Sequence, residues 1–143
     1  MKEYLTYDDV QILPKYSKVK HRVNCDISTY VTKSWELAIP IVSSPMDTVT
    51  EVDMAQEMNE LGGLGIIHRF LSIEEQASQI GRVTLGVSAA AIGVTGDFIE
   101  RAQELVKNGC KILCIDVAHG HHKLVKESIR RIKNEVNGQV DLL

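Results

Sequence analysis

Short apolar runs recur along this chain at nearly even intervals, centred near residues 41, 66, 87, 114 and 141, roughly 21 to 27 residues apart. Leu64-Gly65-Ile66-Ile67 and Ile112-Leu113-Cys114-Ile115 show no polar alternation. A strand wetted on one face alternates apolar and polar side chains. A strand without alternation is covered on both faces, as in a parallel sheet. Parallel neighbours need a crossover connection, usually a helix, and the intervals leave room for one each time. Strands are predicted over 39–42, 64–67, 84–91 and 112–115, with a fifth beginning at 140–143.

Helices are predicted between them at about 51–61, 73–80, 97–108 and 121–136. The first has cap patterns at Thr48-x-x-Glu51 and Thr50-x-x-Asp53, an apolar face of Met54, Met58 and Leu61, and a stop at Gly62-Gly63. The second opens on the capping box Ser72-x-x-Glu75 and turns Ile73, Ala77 and Ile80 inward. The third uses Phe98, Ala102, Leu105 and Val106, with Gly109 after it. The fourth uses Leu124, Ser128, Ile129 and Ile132, and Lys126, Arg130 and Lys133 form its solvated side.

Such units fit either a (β/α)8 barrel or a doubly wound sheet. The second calls for Gly-x-Gly-x-x-Gly between the first strand and its helix. Here Gly62-Gly63-Leu64-Gly65 precedes a strand instead. The expected fold is α/β, the N-terminal portion of a TIM barrel. Residues 39–143 supply about four β/α units and the start of strand five, and residues 1–38 form an opening segment. In that segment Leu5 to Leu13 is extended and ended by Pro14. Short strands are expected within Cys25–Tyr30 and Val31–Leu37, and Trp35 packs on the outside or floor of the larger body. A whole barrel needs about 250 residues, so the chain is expected to stop mid-fold.

With 143 residues, 44% apolar and 24% charged, the chain can bury the core of one domain. A formal charge of −3 argues against a nucleic-acid surface. No apolar run approaches the roughly 18 residues of a membrane span. Lys2, Glu3, Asp8 and Asp9 are wrong for a signal peptide. Cys25, Cys110 and Cys114 read as free thiols in a reducing cytoplasm. Cys110 and Cys114 lead into an apolar strand, so small core residues describe them better than metal ligands, despite His119, His121 and His122 nearby. No metal site is expected.

In a barrel, chemistry gathers at the C-terminal ends of the strands. Ser43 to Thr50, His68-Arg69-Phe70, Ala91 to Asp97 and Asp116 to His122 occupy those ends, and polar residues concentrate there. Asp116 could take hydrogen bonds from a ribose diol or brace its own loop. His68 and Arg69 could meet an anionic ligand or cap their loop. His119 reads better as a structural hydrogen-bonder than as an acid–base group. Gly93 and Gly96 permit either close ligand approach or simple turns.

Five stretches, in order and at barrel spacing, carry a resemblance. They are Leu5-Thr6-Tyr7-Asp8-Asp9-Val10 followed by Pro14, Ile41 to Glu51, Gly62 to Arg69, Ile92-Gly93-Val94, and Ile115-Asp116-Val117-Ala118-His119-Gly120-His121. Together they resemble the IMP dehydrogenase/GMP reductase family. The resemblance implies a (β/α)8 barrel, a homotetramer when full length, and a purine nucleoside monophosphate substrate with a nicotinamide cofactor. A thiolate adds to C2 of the purine, and hydride passes to or from the nicotinamide. Dehydrogenases convert IMP to XMP with NAD, and reductases convert GMP to IMP with NADPH.

By the same resemblance Ser44 and Met46 contact the nucleotide, and Asp116, Val117 and Ala118 face the nicotinamide riboside. His21, Arg22 and Arg69 match reductase positions that help hold the phosphorylated cofactor. A monovalent cation such as potassium is implied, at a site outside this chain. Gln76 to Thr84 bridges directly the place where many dehydrogenases insert paired CBS modules, so none is expected. The nucleophilic cysteine of the family lies beyond strand five, and none of the three cysteines here matches its motif, so no catalytic residue is assigned. Ser43 to Glu51 and Gly62 to Gly65 resemble the dehydrogenase. The missing modules, His68-Arg69-Phe70 and Asp116-Val117-Ala118 resemble the reductase. The dehydrogenase is the favoured reading, with the reductase as alternative. Two further readings are an inactive fragment or half barrel completed by a partner chain, and a binding or scaffold protein that keeps only the fold.

Overall fold

The computed structural model describes residues 2–143. From residue 2 to residue 28 the chain is exposed, with Tyr7 and Ile12 almost fully in solvent, and among these described residues the regular structure is one 3-10 turn at Arg22–Asn24. An antiparallel hairpin follows, β1 (Thr29–Tyr30) and β2 (Glu36–Leu37). The body then alternates β3 (Val42–Ser43), α1 (Val52–Glu60), β4 (Leu64–Ile67), α2 (Ile73–Arg82), β5 (Ala89–Ile92), α3 (Phe98–Lys107), β6 (Ile112–Ile115), α4 (Lys123–Glu135) and β7 (Asp141–Leu142). The five strands β3 to β7 form one parallel sheet in sequence order. Sequential parallel strands joined by helices are what a barrel portion requires, and the α/β barrel expectation holds.

Strand parity sorts the core into two layers. Ile67, Ala90, Ile92 and Leu113 meet the helices through Ala77, Ile80, Phe98, Ala102, Leu105 and Ile132. Leu64, Ile66, Ala89, Ala91 and Ile112 face the other way and pack with Leu37, Val31 and Trp35. The hairpin is therefore a floor under the second layer, as Trp35 foretold. Thr32 Oγ1 donates to Asp141 Oδ2 at 2.6 Å, tying that floor to β7, 109 residues on.

The central strands β4 and β6 fall on their predicted residues. The edges do not. The run 39–42 reduces to β3, and Ile41 and Val42 are about half exposed, because β3 has a neighbour on one side only. Residues 84–88 do not join the strand predicted at 84–91. Asn59 Nδ2 holds Leu85 O and Val87 O at 2.7 and 3.1 Å, and the strand starts at Ala89.

Helix α2 keeps its reciprocal Ser72–Glu75 capping box. Helix α1 departs from expectation at both its cap and its face. Neither Thr48 nor Thr50 caps it. The Val52 N–H donates instead to Gln79 Oε1 of α2 at 3.0 Å, and Gln79 Nε2 donates to Glu51 at 2.8 Å. Its buried residues are Val52 and Ala55, while Met54 and Leu61 are exposed. The reason is Gly65: a Cβ there would lie 2.4 Å from Ala55 Cα, so α1 sits directly on the β4 backbone by its smallest side chain. In α4, Ser128 and Ile132 are buried, but Leu124 is 39% exposed, and among the described residues no helix follows α4.

Candidate functional site

The loop after β3 is folded by its own hydrogen bonds. Thr50 is fully buried. Its Oγ1 lies 2.7 Å from Ser44 O and 2.9 Å from Ser43 Oγ. With one proton available, it donates to the carbonyl and accepts from the Ser43 hydroxyl. The Met46 N–H reaches Ser44 O at 2.9 Å, and the Val49 and Thr50 N–H groups reach Met46 O at 3.2 and 3.1 Å. Thr48 takes φ of 59° to close this turn. The His68 N–H donates to Thr50 O at 3.2 Å, which fastens the loop to the end of β4. The Ser44 and Met46 side chains are left outward and exposed. Thr50, predicted as a cap, instead sets the shape of the loop that presents them.

His68 is 2% exposed. Its Nδ1 accepts from the Phe70 N–H at 3.1 Å, so Nε2 carries the proton and points at Glu51 Oε1, 3.4 Å away. This histidine braces the loop and is not open to a ligand. Arg69 is different. Its Nε stands 3.5 Å from Asp116 Oδ2, with both side chains little more than one-third exposed. That is close enough for ion pairing yet too poorly aligned for a hydrogen bond, and the buried Nε has no hydrogen-bond partner. Arg69 Cζ also lies 5.2 Å from the Phe70 ring centre. An exposed pair of this kind contributes at most about 1 kcal/mol to stability.

The Asp116 N–H is held by Ile92 O at 2.9 Å, so its backbone continues the β5–β6 ladder; beside it Val117 is half-buried and Ala118 is exposed. Two residues singled out from sequence, Arg69 and Asp116, thus come together across β5. His21 and Arg22 do not join them. They lie in the exposed opening segment, and among the described residues no hydrogen bond or ion pair links them to the rim. His119 is exposed and edge-on to His121. His122 takes up the helix-cap role, accepting from the Leu124 N–H at 3.1 Å. A cavity of about 460 Å³ runs along this face of α4, lined by His121, Lys126, Ile129 and Arg130.

The thiols of Cys110 and Cys114 are poor nucleophiles. Burial pushes the Cys110 thiol up to about 12. Burial, aided by the Asp116 charge, raises Cys114 to about 11. Both stay protonated at neutral pH, consistent with their core positions.

The model of the IMP dehydrogenase / GMP reductase domain matches residues 4–143. The chain belongs to this family. Among curated relatives, the inosine-5'-monophosphate dehydrogenase of Cryptosporidium parvum is 32% identical over an alignment of 178 residues, covering 93% of this chain and 44% of that protein. That of Nitrosopumilus maritimus is 50% identical over 82 residues, 57% of this chain and 17% of the relative. The GMP reductase of Leishmania donovani is 48% identical over 81 residues, 57% of this chain and 16% of the relative. The chain therefore spans less than half the length of these relatives. For a member of the IMP dehydrogenase / GMP reductase family, the strand-end rim is the place where ligand residues are sought, and Ser44, Met46 and Asp116 all stand on it.

Two residues near this rim escaped the sequence reading. Gln76 and Arg101 are 0% and 7% exposed. Each sits inside an apolar helical face: Gln76 lies three residues after Ile73 and four before Ile80, and Arg101 bears the same relation to Phe98 and Leu105. A polar residue at such a position was the available signal.

Proposed function

We propose that this chain forms the nucleotide- and cofactor-facing half of an oxidoreductase that converts IMP to XMP with NAD. The observation that carries the proposal is the rim: Ser44 and Met46 exposed on a loop pinned to β4, and Arg69 against Asp116 at the ends of β4 and β6. The rim fits a polar cofactor. The Arg69 Nε is buried without a hydrogen-bond partner, and the neighbouring Asp116 carboxylate is open on one side. Asp116 would accept from ribose hydroxyls, with Val117 and Ala118 alongside. Ser44 and Met46 would contact the nucleotide. The cofactor, when bound, accepts the hydride from C2 of the purine.

The purine needs a thiolate at C2; Cys110 and the half-buried Cys114 are held as thiols, and Cys25 stands in the exposed opening segment and does not match the family's nucleophile motif. The proposal therefore places the nucleophile on residues outside 1–143. The edge strands β3 and β7 favour the related reading of a half barrel closed by further chain, its own or a partner's. A homotetramer, a cytoplasmic setting and a monovalent-cation site outside these residues belong to the same proposal. Among the described residues no helix is long and apolar enough to cross a membrane.

Relatives of both names match at similar identity and do not choose between the reactions. Two features support the dehydrogenase. One is the sequence of Ser43 to Glu51 and Gly62 to Gly65. The other is that Arg69 already faces Asp116, which weakens its use as a phosphate ligand for NADPH. The test is turnover by the complete barrel containing residues 1–143, with IMP and NAD in one assay and GMP and NADPH in another. Turnover with GMP and NADPH alone transfers the proposal to the reductase, and turnover with neither ends both. In the active protein, Asp116→Ala should raise KM for the dinucleotide more than KM for the nucleotide. Equal effects on the two would remove Asp116 from the cofactor site.

A further inference from the structure

We propose that Gln76, Arg101 and Asp97 form a clamp, buried at Gln76 and Arg101, that positions the rim, with Gln76 as a positioning residue for Arg69 and Asp116. Gln76 Nε2 lies 3.0 Å from His68 O and 2.9 Å from Ala91 O, with Ile67 O at 3.4 Å. One amide NH2 has two protons, and the two shorter contacts take them. It thereby joins the C-terminal ends of β4 and β5, at the residue before Arg69 and two residues before Gly93. On its other side, Gln76 Oε1 accepts from Arg101 Nη1 at 2.8 Å. Arg101 Nη2 donates to Asp97 Oδ2 at 2.7 Å. Asp97 leads into α3 but makes no side-chain cap bond there; its carboxylate goes to Arg101 instead. Four segments are thus locked together: two strand ends, the first turns of α2, and the β5–α3 turn.

The clamp matters for position because ordinary ladder bonds do not reach these atoms. The β4–β5 pairing runs through Ile66–Ala89 and Ile67–Ala90. Past it, the separation of the two chains is set by the Gln76 amide. The next residues outward decide the rim. Arg69 Nη1 would lie 3.6 Å from a Cβ built on Gly93, and the Asp116 N–H hangs from Ile92 O. A shift between the ends of β4 and β5 therefore changes the Arg69–Asp116 separation directly. Buried polar side chains that only filled space would be replaceable by leucine; this one answers two carbonyls and the Nη1 end of the Arg101 guanidinium, which would otherwise lose these partners.

The functional weight of the clamp rests on the reading of the rim as the cofactor face, but its test needs no turnover. The experiment is residue-resolved amide hydrogen exchange on the 143-residue chain, with the Arg69 Nε–H followed by nitrogen NMR. In Gln76→Leu, the rim amides of His68 and Asp116 should exchange at least about tenfold faster. The floor amides on the same strands, Leu64 and Ile112, which donate to Ile41 O and Ser88 O, should keep their rates. The Arg69 Nε–H signal should move toward its position in Asp116→Asn. Equal acceleration at rim and floor would make Gln76 a general stabiliser and overturn the proposal, as would unchanged rim rates. Should Gln76→Leu not fold, Arg101→Lys keeps the charge but loses one arm of the fork. It should loosen the same two rim amides by a smaller factor, and native rates at both would overturn the proposal. Where the complete barrel turns over, Gln76→Glu should raise KM for the dinucleotide more than for the nucleotide. Inactivity toward IMP and GMP alike would end the proposed function while leaving the exchange result standing.

Discussion

Gly65 is the sharpest point at which packing can be tested. A Cβ on Gly65 would fall 2.4 Å from Ala55 Cα, 2.9 Å from Ala55 Cβ and 3.2 Å from Ala55 N. The nearest obstacle is backbone, so no rotamer change relieves it. Helix α1 must lift from β4, or β4 must bow away. Overpacking of this kind costs about 1–3 kcal/mol, and a backbone collision belongs at the upper end. About 3 kcal/mol is a large share of the roughly 5–15 kcal/mol that holds a domain together. With a urea slope of about 2 kcal/mol/M, Gly65→Ala should lower the unfolding midpoint by about 1.5 M. Lifting α1 also strains the bond from the His68 N–H to Thr50 O, so the Ser43–Thr50 loop should loosen as well. The control is the same substitution at Gly81, near the end of α2, where an added Cβ meets nothing within 4 Å. There alanine reduces the freedom of the unfolded chain and should stabilise by up to about 1 kcal/mol. Opposite signs at the two glycines are the expected result. A Gly65→Ala midpoint equal to wild type would refute the claim that α1 rests on the β4 backbone.

Gln79→Ala removes the acceptor for the buried Val52 N–H and the donor to Glu51, and should cost about 1–3 kcal/mol in urea unfolding. A thiol reagent at neutral pH should label Cys25 rapidly and spare Cys110 and Cys114 until the protein is denatured, because burial holds both as thiols. The hydrogen bond from Thr32 lowers the Asp141 carboxyl below its ordinary value. Its contribution is present above the unfolded carboxylate range near pH 4 and is lost as pH falls through the depressed folded value. The Tm gap between wild type and Thr32→Val should therefore be full at neutral pH and close in acid. A gap that stays constant down to the acid transition would dissociate Asp141 from the floor contact.

What could be read in advance followed the range of the interactions. The capping box of α2 lies within four residues, and it was legible. Helix α3 was legible for the same reason, since its apolar residues repeat on one face. The cap of α1 was not, because Gln79 acts on Val52 from 27 residues away. The apolar face of α1 was misread for a related reason. Met54 and Leu61 are the larger hydrophobes, but contact with a glycine-bearing strand selects the small Ala55. Asp116 could be singled out from its place after an apolar run, and Ser44 and Met46 from the family resemblance of their loop. His68 could not be sorted into ligand or brace until its burial and its two partners were known.

The sequence by itself determined the order of strands and helices, the parallel sheet and the family, because apolar periodicity and short motifs are local properties of the chain. Tertiary structure alone decided which strand ends meet and what holds them. Arg69 and Asp116 are drawn together across β5, and Gln76, Arg101 and Asp97 clamp the backbone behind them. The physical reason is that a buried polar group must find its partners wherever the fold brings them, and those partners belong to separate β/α units that become neighbours only when the sheet forms.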